Sequence, residues 1–127
     1  MRDHAGVDEP QDPRAQRWRR LEDAILRSPG TLDASVREVL AAGREVPQPL
    51  ALYVDKVTRH AYRVTDDDVQ ALLAAGYSQD HIFEATLSVA LGAAQTRLQA
   101  GLDALRAARL KNEASSEASA EKDEEEE

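Results

Sequence analysis

From Ser78 to Leu110 the chain contains no proline, and Leu87, Leu91, Ala94, Leu98, Leu102 and Leu105 recur every three or four positions. Residues spaced in this way share one face of an α-helix. The segment therefore predicts one helix of roughly 48 Å at 1.5 Å per residue. Around Gly92-Ala93-Ala94 its surface carries almost no side-chain bulk, so another backbone can approach closely. A stripe this long exceeds what a small domain needs for itself. It suggests a seam against a second chain, with Leu87, Leu91, Ala94, Leu98 and Leu105 as the interface. A bundle within one chain fits the same pattern.

Composition supports helices elsewhere. Among 127 residues there are 22 Ala and 14 Leu, against five aromatics: Trp18, Tyr53, Tyr62, Tyr77 and Phe83. Such a chain reads as all-α, with thin helices packed through small side chains. Charge is distributed unevenly. Residues 112–127 hold eight acids and one base, net -7 of the total -8, so residues 1–111 are close to neutral. A strongly basic nucleic-acid binder is disfavoured. With no cysteine in the chain, disulfides, thiolate metal sites and a cysteine nucleophile are excluded. No apolar run approaches the roughly 20 residues of a membrane span. The polar start MRDHAGVDEPQDP has no signal-peptide core, so a soluble cytoplasmic protein is the expectation.

Local signals divide the chain into three parts. Residues 1–13, with Pro10 and Pro13 among charges, are expected to be disordered. Residues 14–111 are expected to form a helical domain. Its first helix runs from about Arg14 to Arg27 and stops at Ser28-Pro29-Gly30. Thr31 can cap a second, which Gly43 closes. Pro47-Gln-Pro49 opens a third, whose stripe is Leu50, Val54, Val57 and Ala61. Thr65 and the acids Asp66, Asp67 and Asp68 suit the start of a fourth, which ends at Gly76. Ser78 is the expected cap of the last. Residues 112–127, rich in Ser, Ala and Glu, read as a disordered acidic tail.

The stretch Pro49 to Leu105 contains VTDDDVQALLAAG followed by Tyr77-Ser78-Gln79-Asp80-His81-Ile82-Phe83-Glu84-Ala85 and an Ala-rich helix. It resembles the carboxymuconolactone decarboxylase and alkylhydroperoxidase D-like family. The resemblance implies an all-helical, oligomeric fold with long helices packed between subunits. In the redox members, a Cys-x-x-Cys-x-x-x-His run precedes Ala-Ala-Gly, with a Glu upstream. Here the two cysteine positions hold Ala61 and Val64, the histidine position holds Asp68, and Pro49 lies where the Glu would be. With no thiolate, thiol peroxidase activity is excluded.

The decarboxylase branch works by acid–base chemistry without a thiol, which makes His60 a candidate catalytic base. Asp68 or Asp55 could orient it, and Arg59 and Arg63 could draw in a carboxylate-bearing substrate. A His beside two arginines on an amphipathic helix is also an ordinary surface or interface residue. The acids 66–68 suit a helix start without any ion, and His4, His60 and His81 have no ligand spacing, so neither a metal nor another cofactor is expected. Arg14, Arg17, Arg19 and Arg20 surround Trp18, a basic helix able to contact phosphate or to dock on a protein. The acidic tail could hold a basic partner or keep an oligomer soluble. These readings converge on a homo-oligomeric, non-redox scaffold or binding subunit. A cofactor-free acid–base enzyme centred on His60, decarboxylase- or isomerase-like, is the alternative.

Overall fold

The computed structural model describes residues 12–126, and among them every regular element is helical. Helix α1 spans Pro13–Glu22 and continues as a π-helical turn over Asp23–Arg27. Helices α2 (Ala34–Ala41), α3 (Leu50–Arg59) and α4 (Asp66–Ala74) follow, with a 3-10 turn at Ala61–Arg63 between α3 and α4. The last helix, α5, spans Gln79–Glu126. Contacts divide the chain into two units, residues 1–93 and 94–127. No helix among the described residues is long and apolar enough to cross a membrane.

In the first unit, α2, α3, α4 and the start of α5 share one core of Leu40, Leu50, Tyr53, Leu72, Ile82, Ala85 and Val89. Each fully buried leucine contributes roughly 1.5–3 kcal/mol. The Tyr53 hydroxyl hydrogen-bonds Thr86 Oγ1 at 2.7 Å, which satisfies the one polar atom that this ring brings inside. Gly43 (φ 72°) and Gly76 (φ 103°) stand in the left-handed region just past α2 and α4, where a side chain would be strained. Gly92 has a different role. A Cβ there would lie 2.0 Å from the carbonyl oxygen of Ala41, so α5 crosses the end of α2 with backbone against backbone.

Several helix boundaries differ from those the sequence suggests. Most of the segment expected to be disordered, residues 1–11, lies outside the described residues. Asp12 and Pro13 open α1 instead, with the Asp12 carboxylate accepting from the Arg14 N–H at 3.0 Å. Asp33 rather than Thr31 precedes α2. Helix α3 ends at Arg59, so Ala61 leaves the apolar stripe and is exposed in the 3-10 turn.

The second unit is helical throughout its described length, residues 94–126. Residues 112–126, expected as a disordered tail, continue the helix. Beyond Gly101 there is no glycine or proline to stop it, and Ala, Glu and Lys are strong helix formers. Every side chain from Thr96 to Lys122 is exposed.

Candidate functional site

Helix α3, the turn after it and the start of α4 hold the predicted acid–base residues in separate local contacts. Arg59 Nε pairs with Asp55 Oδ1 at 3.1 Å, one turn back along the same helix, with both side chains exposed. His60 ends α3: its backbone leaves helical geometry (φ -143°) and its N–H donates to the Lys56 carbonyl at 2.7 Å. The His60 ring is exposed and edge-on to Tyr62, 6.0 Å between centroids. The Arg63 guanidinium lies over that same Tyr62 ring at 5.6 Å, a contact worth about 0.5–1 kcal/mol at an exposed site.

Asp68 pairs with Lys56. Its two oxygens accept from Lys56 Nζ at 2.8 and 3.0 Å. One of them also accepts from the Thr65 N–H at 2.9 Å, where α4 begins. The Lys56 hydrogen bond, then the Thr65 amide, hold this carboxyl below the usual range. Its geometry is that of a helix cap with a lysine partner. Among the described residues, no carboxylate orients the His60 ring. Arg59 and Thr58 line a cleft of about 660 Å³ with Gly43–Gln48, whereas His60 does not. The structure therefore distributes His60, Asp68, Arg59 and Arg63 over three local arrangements.

A more strongly constrained polar group lies elsewhere in the first unit. Arg37, on α2, is 4 % exposed. Its guanidinium donates to the carbonyls of Leu32 (3.1 Å), Ile25 (2.7 Å) and Ser28 (2.5 Å). Ile25 and Ser28 belong to the end of the first helical segment, where carbonyls lack helical partners. Arg37 supplies the missing donors from another helix. Glu84 on α5 completes the arrangement: its carboxylate accepts the N–H groups of Thr31 (2.9 Å) and Leu32 (3.0 Å) and lies 4.0 Å from Arg37 Nε. Gly30 gives this carboxylate room, since a Cβ there would fall 2.6 Å from Glu84 Oε1. Pro29, Gly30, Arg37, Glu84 and Leu87 are among the walls of an adjoining cleft of about 250 Å³.

The Leu32 and Thr31 amides, then the Arg37 charge, hold the Glu84 carboxyl below its usual value of 4.5. A depressed folded-state value means the stabilisation is fully present above the unfolded value and is lost as pH falls through the folded one. Thermal unfolding monitored by circular dichroism should thus show a nearly level midpoint from pH 7 to about 5, then a decline. Glu84→Gln should lower the midpoint at pH 7 and flatten the decline. An equally steep acid decline in Glu84→Gln would remove Glu84 as its source.

Nothing in the sequence singles out Arg37 or gives Glu84 a role. The available signal was weak: a single arginine on the face of a short helix that also buries Leu40. The residues on the basic helix are better defined. Trp18 is half-buried with its indole N–H shielded from solvent and without a hydrogen-bond partner, while Arg14, Arg17 and Arg20 are exposed. His81 serves the start of α5, its Nδ1 accepting from the Ser78 N–H at 3.0 Å while Ser78 Oγ accepts from the His81 N–H at 3.1 Å.

The interface residues proposed from sequence divide between the units. In the first unit Leu91 is 7 % exposed, buried within its own chain, and Leu87 is 38 % exposed. In the second, Ala94 is exposed, and the large exposed apolar residues are Leu98 (42 %), Leu102 (44 %), Leu105 (63 %) and Leu110 (57 %).

No family model, curated protein or solved structure gives a significant match to this chain.

Proposed function

We propose that the chain is a cysteine-free relative of the carboxymuconolactone decarboxylase and alkylhydroperoxidase D-like family, serving as a homo-oligomeric, non-redox scaffold or binding subunit in the cytoplasm. The observation that supports this is the row of leucines on α5. Leu98, Leu102 and Leu105, three or four positions apart, stay exposed along a helix whose unit has no other element among the described residues to cover them. Exposed apolar side chains aligned on one helix are an interaction surface, and self-association is the simplest way to bury them. The Arg14–Arg20 helix and the acidic residues 112–127 add charged surfaces for another protein. The surroundings of His60 add no support for acid–base catalysis.

Leu98→Glu tests the reading. Burying a leucine contributes roughly 1.5–3 kcal/mol, counted twice in a symmetric dimer, and an unpaired carboxylate in a dry seam is costly. Size-exclusion chromatography with light scattering should give a smaller species for Leu98→Glu than for the wild type. A variant that keeps the wild-type mass would contradict the proposal. Because no thiolate exists to attack a peroxide, hydroperoxide turnover with a dithiol donor should not exceed that of a heat-treated control.

A further inference from the structure

Two mid-helix glycines of α5 have opposite surroundings. At Gly92 a Cβ would strike the Ala41 backbone, so the fold of the chain explains the glycine. At Gly101 a Cβ would meet nothing within 4 Å. Glycine inside a helix is less stable than alanine, and among the described residues nothing packs at Gly101 to offset that. Such a position is suited to the close approach of a second helix.

The residues around Gly101 repeat every seven positions. Leu98, Leu105 and Asn112 form one row; Ala94, Gly101, Ala108 and Ser115 form the row beside it. All of them are exposed. One row is large and the other small. Two helices of this kind running parallel would set leucine on leucine and then glycine on glycine, leaving gaps in alternate layers. Running antiparallel, each leucine meets a small residue, and the contact is reciprocal as a two-fold axis requires. Charge selects the same direction. Parallel pairing would align two segments of net -7 each (residues 112–127), whereas antiparallel pairing sends them to opposite ends.

We infer that a second copy of α5 packs antiparallel across residues 94–112, with Leu105 of the partner subunit over Gly101 and Leu98 of the partner subunit over Ala108. This deepens the homo-oligomer reading and rests on it.

The full chain with Gly101→Leu provides the test. The site is open in the single chain, and leucine favours helix more than glycine does, so helicity by circular dichroism should be retained or increased. Self-association by sedimentation should weaken at least tenfold, because the close approach is blocked at two symmetric places. A variant that associates as well as the wild type, or more tightly, would overturn the close crossing while leaving the homo-oligomer reading intact. Direction is read by oxidation, since the native chain has no cysteine. Leu98→Cys mixed with Ala108→Cys should give a covalent heterodimer. Asn112→Cys alone should not cross-link, its two copies lying about 27 Å apart along the helix axis. Cross-linking of Asn112→Cys to itself would mean parallel helices and overturn the inference. A wild type that is monomeric at every concentration would instead remove the homo-oligomer reading.

Discussion

Gly92→Ala should destabilise the protein severely, by about 3 kcal/mol or more. One added methyl would lie 2.0 Å from the Ala41 carbonyl oxygen, 2.7 Å from its carbonyl carbon and 2.8 Å from its Cα. These are backbone atoms, so no side-chain rotation relieves the clash. Helices α2 and α5 must move apart, and Leu40, next to Ala41 and only 2 % exposed, would lose contacts. Alanine has the higher helix propensity, by up to about 1 kcal/mol, yet the packing term outweighs it. Chemical denaturation followed at 222 nm measures the difference. An unchanged midpoint would mean that α2 and α5 do not cross at this distance.

Arg37→Leu is the second substitution with a large expected effect, about 3–5 kcal/mol. The loss comes from what remains after the guanidinium is gone. The carbonyls of Ile25, Ser28 and Leu32 lose a charged donor inside the protein, and Glu84 loses its nearby cation. Denaturant unfolding should show the drop, and limited proteolysis should show new cleavage near Ser28–Thr31. A double variant, Arg37→Leu with Glu84→Gln, should lose less than the two single losses added together, because the two residues act on one loop. Strict additivity would mean that they stabilise the fold independently.

Gly92 and Arg37 also mark what the sequence could reveal. The helices themselves were legible, because leucine and valine spacing sets helix faces and Gly43 and Gly76 stop the helices they follow. Ser78 as the cap of α5 was legible as well, since the cap is local in sequence. The close crossing at Gly92 could be suspected from Gly92-Ala93-Ala94, but its partner, Ala41, could not. The Arg37–Glu84 arrangement was not legible. It joins Thr31 to a carboxylate 53 residues further along the chain, and no local pattern encodes such a pairing. His60 illustrates the opposite case. Its neighbours in sequence, Arg59 and Arg63, suggested a site, yet three or four residues along a helix is also the spacing of surface ion pairs, and Arg59 pairs with Asp55. At the end of the last helix two local signals oppose each other, the charge and low apolar content of residues 112–127 and the helix propensity of Ala and Glu.

Sedimentation velocity of the full wild-type chain over a concentration series decides whether α5 joins two copies. One chain has a mass of 13.9 kDa. The expected result is a species of at least twice that mass at tens of micromolar, dissociating on dilution. A single species of 13.9 kDa throughout the series would contradict it and leave the leucines of α5 without a partner of their own kind.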